Sequence, residues 1–352
     1  MNKYYFVLSL ILLLCTPNIN AQTELKTKAN TTKVRLFSSN NLLPIKLKYS
    51  RKNVKKVTND TTYMESELSY KTADSAWKSL PIKLKVRGNF RKKACYFTPL
   101  KLKIKKSDAK TTLFKGEKKL KLVLPCKKEK AMNDNVVKEY LAYKIYEIIS
   151  PIHFKTRLLD IEYEDVKKKK SDFHNIKGFV IEDDESVAKR FEGNVVNRSI
   201  YPNGQDAFEA LKTELFQFMI GNTDFSATYQ HNVKMMVIDK KYVPVPYDFD
   251  MSGLVNCSYA VVSDSRSYKL PITSVRERLF LGYKRDAEVF NTVRQLFKAK
   301  KAEVLTMLQD HEIFFKNETA FKVTKEYIVE FYKILENEAK FKKYILDAAR
   351  NM

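Results

Sequence analysis

The chain has 352 residues, 44% hydrophobic and 12% aromatic, which excludes a disordered polar chain and is enough for one large domain or two lobes. Its 65 Lys and Arg against 41 Asp and Glu give a formal net charge of +24, a field that attracts polyanions such as anionic glycan or lipid. No zinc-finger or RNA-recognition signature accompanies that charge, so a specific nucleic-acid binder is not indicated, and most lysines read as a solvated surface.

The N-terminus reads as a processing signal. Met1-Asn2-Lys3 is a short basic start, residues 5–14 form an apolar run, and Thr16-Pro17 breaks it. Cleavage after Ala21 fits, so residues 1–21 are expected to be a signal peptide. Leu14, just before Cys15, is bulky and argues against lipidation at that cysteine. No later stretch approaches the roughly 18 apolar residues that a membrane span needs. The expected product is exported, to the periplasm, the extracellular space or the cell surface, with no transmembrane segment.

Export places the remaining cysteines in an oxidising compartment. Cys95 and Cys126 fall near the ends of neighbouring predicted strands and are expected to pair, leaving Cys257 as a thiol. Their spacings match no zinc pattern.

Residues 33–125 read as β-rich. Segments 43–50, 80–89, 99–106 and 119–125 alternate Lys with Ile, Leu or Val, a period of two that places aliphatics on one face and lysines on the other. LPIKLK occurs twice, too little to define a repeat. Residues 133–150 predict a helix with Val137, Leu141, Ile145 and Ile148 on one stripe and Pro151 beyond its end. Two strands follow, near 157–164 and 176–182, and the polar EDDES segment after them suggests a boundary.

Beyond that boundary, residues 207–220 predict an amphipathic helix with Phe208, Leu211, Leu215 and Met219 on a shared face, and Gly221 suits its C-terminal cap. Segments 232–238 and 242–247 predict a hairpin joined by Asp239-Lys240-Lys241. From residue 275 onward the chain is expected to be mainly helical.

The loop from Gly221 to Asn232 carries Asp224, His231 and Asn232, and the hairpin delivers Asp248 and Asp250. A loop Asp, a following Asn and a later Asp are the groups that kinase-type phosphoryl transfer needs. One carboxylate orients a hydroxyl, while the amide and the second carboxylate hold Mg²⁺. Upstream, a strand bearing Lys101 and Lys103 precedes a helix bearing Glu139, which supplies an ammonium for phosphates and a carboxylate to hold it. That order predicts an α+β, bilobal kinase-like fold. Residues 22–184 would form a β-rich N-lobe with one long helix, and residues 185–352 a helical C-lobe carrying the catalytic-type loop and hairpin.

Several blocks resemble the CotH kinase-like family of secreted and spore-coat atypical kinases, and related exported bacterial proteins. They are KVRGNFRKK at 85–93, PLKLKI at 99–104, EYLAYKIYEI at 139–148, GFVIEDDE at 178–185, IGNTDFSATYQHN at 220–232 and PYDFDMSG at 246–253. The resemblance implies Asp224 as catalytic base, Asp248 as leading metal ligand, and Asp250 and Asn232 as further ligands. It implies Lys101, with Lys103 beside it, as the phosphate-contacting lysine, Glu139 as its partner, and Arg87 with Arg91 as phosphate contacts. The cofactors would be ATP with Mg²⁺ or Mn²⁺, and the acceptor a hydroxyl on a protein or glycan. Asn222-Thr223-Asp224 replaces the His-Arg-Asp order of ordinary kinases, and Asp224 and Asn232 stand eight positions apart. Two alternatives stay open: a non-catalytic surface protein binding anionic glycan or lipid, and a metal-dependent phosphoesterase using Asp224, His231, Asn232, Asp248 and Asp250.

Overall fold

A computed structural model describes residues 35–88, 90–262 and 269–352. The expected leader at 1–21, Cys15 and Asn89 lie outside the described residues.

Alternation of lysine and aliphatic side chains builds the first half. In chain order come β1 (Leu43–Tyr49), α1 (Arg51–Val57), β2 (Met64–Lys71), β3 (Trp77–Val86) and α2 (Phe90–Ala94). They are followed by β4 (Leu100–Lys103), α3 (Lys106–Ala109), β5 (Lys119–Val123), α4 (Ala131–Ile149), β6 (Thr156–Asp165) and β7 (Asp172–Glu182). The seven strands close into a barrel of order β1-β2-β3-β4-β5-β7-β6. Leu47, Leu68, Leu84, Leu102, Leu120 and Val180 fill its interior, and the alternate lysines point outward, as the period of two requires.

The expected bilobal kinase-like fold is not what forms. The N-terminal strands make a closed mixed barrel, and the C-terminal part has its own three-stranded sheet in place of a mainly helical lobe. The barrel closes because β1 runs parallel to β6, from Leu43 opposite Leu159 to Tyr49 opposite Asp165. A period of two shows which face of a strand is buried, and carries no information on which distant strand completes the sheet. The sequence reading also passes over β2, whose buried residues are confined to Leu68 and Tyr70 near its end.

The second half begins with α5 (Asp184–Lys189) and β8 (Asn194–Val196), then α6 (Ala207–Ile220), β9 (Val233–Ile238) and β10 (Lys241–Pro246). α7 (Ala287–Ala299), α8 (Lys301–Asp310), α9 (Glu318–Glu336) and α10 (Glu338–Phe341) complete it. β9 lies between β10 and β8, antiparallel to both. Asp206 caps α6 by accepting from the Glu209 N–H at 3.0 Å, and Gly221 ends it in the left-handed conformation at φ 63°.

α4 links the two halves. It is buried on most of its circumference, as a helix enclosed on several sides must be. Tyr140 and Tyr143 pack on Phe179 of the barrel's outer face, while Tyr146 packs on Phe216 of α6 and Tyr143 on Phe249. One apolar core accordingly runs from Val123 at the end of β5 to Ala349 near the C-terminus. Glu139 sits on this helix, 2% exposed. Among the described residues no helix is long and apolar enough to cross a membrane.

Candidate functional site

The expected disulfide is present: Cys95, just after α2, is bonded to Cys126, just after β5, and Cys257 is a buried thiol. The pairing is consistent with an exported protein. It also has a local consequence, because the Cys95 N–H donates to the Arg91 carbonyl and the Tyr96 N–H to the Cys126 carbonyl at 2.7 Å. The short helix bearing Arg91 is therefore held against the end of β5, where Arg91 Nη2 donates to the Leu124 carbonyl at 3.0 Å.

From that anchor Arg91 Nη1 points among three carboxylates. It stands 3.6 Å from Asp250 Oδ2, 3.8 Å from Glu139 Oε2 and 4.0 Å from Asp248 Oδ1. Arg87 Nη2 approaches the other oxygen of Asp248 at 3.8 Å. These distances are ion pairs without hydrogen bonds. Arg91 Nε, Arg87 Nη1 and Glu139 Oε1 are buried without a hydrogen-bond partner, an arrangement that calls for an explanation beyond packing. Burial alone would lower the Arg91 pKa, but Asp250, Tyr259, Glu139 and Asp248 outweigh it and raise it. Burial pushes Glu139 well above the usual carboxylate range and Asp250 upward, against the pull of Arg91. Two guanidinium groups do not fully compensate three carboxylates in so dry a place.

Asp248 is the most accessible of the three, its side chain 27% exposed. Its backbone is left-handed at φ 63°, a conformation that Asp and Asn tolerate better than other residues with a Cβ. The Tyr143 hydroxyl of α4 accepts its N–H at 2.9 Å. Asp250 is buried and accepts from the Tyr259 hydroxyl at 3.0 Å.

The eight positions between Asp224 and Asn232 fold back on themselves. Ser226 and His231 exchange backbone hydrogen bonds of 2.9 and 3.0 Å. Asn232, at φ 52°, then donates from Nδ2 to the Asp224 carbonyl at 2.7 Å and to its Oδ2 at 3.0 Å. His231 Nε2 lies 3.0 Å from Asp224 Oδ1, and the Asn222 side chain accepts the Asp224 N–H at 3.0 Å. Loop length thus does not separate the Asp from the Asn. The Asp224 charge also adds to the upward push on Asp250.

The lysines fall differently from expectation. Lys101, on β4, is half-buried on the barrel's outer face, and exposed Lys103 stands 5.9 Å from the Tyr63 ring. Glu139, expected to hold a lysine, faces Arg91 instead. The buried lysine is Lys121 of β5, 4% exposed. It is ion-paired to Asp184 at the start of α5 and 4.8 Å from the ring of Tyr247, the residue before Asp248. Sequence reasoning missed Lys121, Asp184, Tyr143 and Tyr259. Lys121 was one more lysine in an alternating strand, and Tyr143 and Asp184 lay inside the blocks at 139–148 and 178–185 without standing out.

A metal ion implied by the resemblance can be weighed against these residues. Among the described residues no three His, Cys, Asp or Glu side chains gather in a ligand set. Mg²⁺ needs less, since one or two carboxylates suffice when phosphate and water complete its shell. The part-exposed carboxylate of Asp248, beside buried Asp250 and the orphaned Glu139 oxygen, suits that partial role. No protein-family model matches the chain, and no curated protein matches it.

Proposed function

We propose that the edge formed by Asp248, Asp250 and Asp224 binds a phosphorylated ligand together with Mg²⁺ and transfers a phosphoryl group to a hydroxyl. The observation that carries this reading is Asp248 itself. Its carboxylate is held near two guanidinium groups without a hydrogen bond to either, on left-handed backbone fixed by Tyr143.

The roles follow from position. Asp248 and Asp250 would hold the ion, with the Asn232 amide oxygen as a further donor of the hard type Mg²⁺ prefers. Mg²⁺ bound there would align phosphate oxygens and offset their charge. Asp224, its two oxygens steered by His231 and Asn232, accepts the proton of the acceptor hydroxyl. Lys101 and Arg87 attract the phosphates, and Arg91 keeps Asp250 and Glu139 in place. The blocks that resemble the CotH kinase-like family favour transfer over binding alone. The reading rests on these residues and needs no kinase-like fold. Thermal shift of the mature protein tests it: ATP with Mg²⁺ or Mn²⁺ should raise the midpoint, and ATP with chelator should raise it less. No shift under any of these conditions would count against it.

A further inference from the structure

The barrel end at which β1, β3, β5 and β6 finish gathers basic residues from four separate segments. α1 lies across it. The Arg51 N–H donates to Asp165 Oδ1 at 2.8 Å at the end of β6, and Thr58 Oγ1, just past the helix, accepts the Val86 N–H at 3.2 Å at the end of β3. Val54 is buried beneath the helix, while Lys52 and Lys56, four positions apart, are exposed on it. Like charges at that spacing weaken a helix.

Tyr96 joins the segments. Its ring centroid lies 3.8 Å from the Arg51 guanidinium and 4.3 Å from Lys128 Nζ, in the exposed run 127–130 after β5. Lys55 Nζ donates to the carbonyl of disulfide-bonded Cys95 at 3.0 Å, and Lys92 and Lys93 are exposed on α2 just before it. The His174 ring of β7 stands 5.9 Å from that of Tyr96, which brings in the turn between β6 and β7 with its exposed lysines at 167–170.

The carboxylates nearby are engaged. Asp165 holds Arg51, Asp172 pairs with Lys167 and acts on Lys128, and Glu164 pairs with Lys48 at 3.1 Å. The Asp60 charge acts on Lys85, and Glu129 offsets part of its own run. No described carboxylate forms an ion pair with Lys52, Lys56, Lys92, Lys93 or the lysines at 168–170. Beside them Phe173 is 75% exposed, and Val57 at the end of α1 is 41% exposed. An apolar ring so exposed, next to a lysine run, gains from a phase that offers both negative charge and hydrocarbon. A hydrated anionic polymer supplies the charge alone.

We propose that this end of the barrel docks on an anionic bilayer, with its lysines against the lipid headgroups and Phe173 and Val57 entering the headgroup boundary. Binding of this kind grows with the apolar area buried and with attraction to anionic lipid, so both features act together. The docking is independent of Asp248 and needs neither metal nor nucleotide.

Flotation of the mature protein with vesicles tests it, comparing phosphatidylcholine alone with phosphatidylcholine containing about one third phosphatidylglycerol. The mixed vesicles should bind about tenfold more strongly or better, and added salt should release the protein. Lys168→Gln, Lys169→Gln and Lys170→Gln together should weaken binding about tenfold or more, and Phe173→Ala about fivefold. Lys322→Gln, Lys333→Gln and Lys340→Gln, equal in charge but on α9 and α10, should leave it nearly unchanged. Alginate beads in place of vesicles present the other occupant. Capture by alginate stronger than by vesicles, and indifferent to Phe173→Ala, would assign this end to a polymer and overturn the proposal. Equal weakening by the two lysine triples would reduce the effect to diffuse charge and overturn it too, as would equal binding to both kinds of vesicle.

Discussion

Arg91 comes within 3.8 Å of Glu139, and its guanidinium is the group that lets three carboxylates converge at the junction of barrel and helices. Arg91→Leu would leave Glu139, Asp248 and Asp250 with Arg87 alone. Removing one partner from a buried charge cluster costs about 3–5 kcal/mol, so a loss of that size is expected in urea unfolding. Adding Glu139→Gln to Arg91→Leu should recover part of it, because one uncompensated carboxylate disappears. A loss under about 1 kcal/mol, the range of exposed pairs, would show that Arg91 is not holding the cluster.

The disulfide should matter beyond its loop. Cys95 and Cys126 are separated by 31 positions, and closing a loop of that size is worth about 3–4 kcal/mol through the unfolded state. That entropy acts alike with or without Arg91. The bond also anchors the helix that carries Arg91, so reduction and Arg91→Leu should couple and cost less together than their sum. Strict additivity in denaturant unfolding would limit the disulfide to a staple. Intact-mass analysis should find one disulfide, with Cys257 resisting alkylation until the protein unfolds, since burial pushes its thiol up to about 12.

Acid should release the Lys121–Asp184 pair. Burial alone would raise the Asp184 pKa, but the Lys121 ammonium overrides it and holds it at about 2, below the usual carboxylate range. A depressed carboxylate adds stability that is complete above its ordinary value and is lost as pH falls through the folded one. The protein should therefore lose roughly 2 kcal/mol between about pH 4 and pH 2 from this group. Asp184→Asn should show that loss already at neutral pH and a flatter acid limb. An unchanged acid limb would assign the transition to other carboxylates.

Much of the local structure was legible in the chain. The two LPIKLK segments announce β1 and the later part of β3 through alternation, and the apolar stripes of α4 and α6 with the Gly221 end of α6 mark both helices. What escaped was long-range. Parallel pairing of Leu43 with Leu159 leaves no local mark, and it is this pairing that makes a barrel. The Asp248 and Asp250 carboxylates stood out because two acids beside Tyr247 and Phe249 make an odd turn. Lys121 did not, because alternation says which way a lysine points and not whether another element will cover it. Tyr259 reaches Asp250 through loop geometry that no spacing encodes.

Mg²⁺-dependent binding at Asp248 is the central claim, and titration calorimetry of ATP into the mature protein tests it most directly. Binding should need Mg²⁺ at full strength, fall to the metal-free level in Asp248→Ala, and persist in Asp224→Asn, which affects only the proton-accepting group. A parent protein that binds no nucleotide with Mg²⁺, or an Asp248→Ala variant that binds as the parent does, would contradict it.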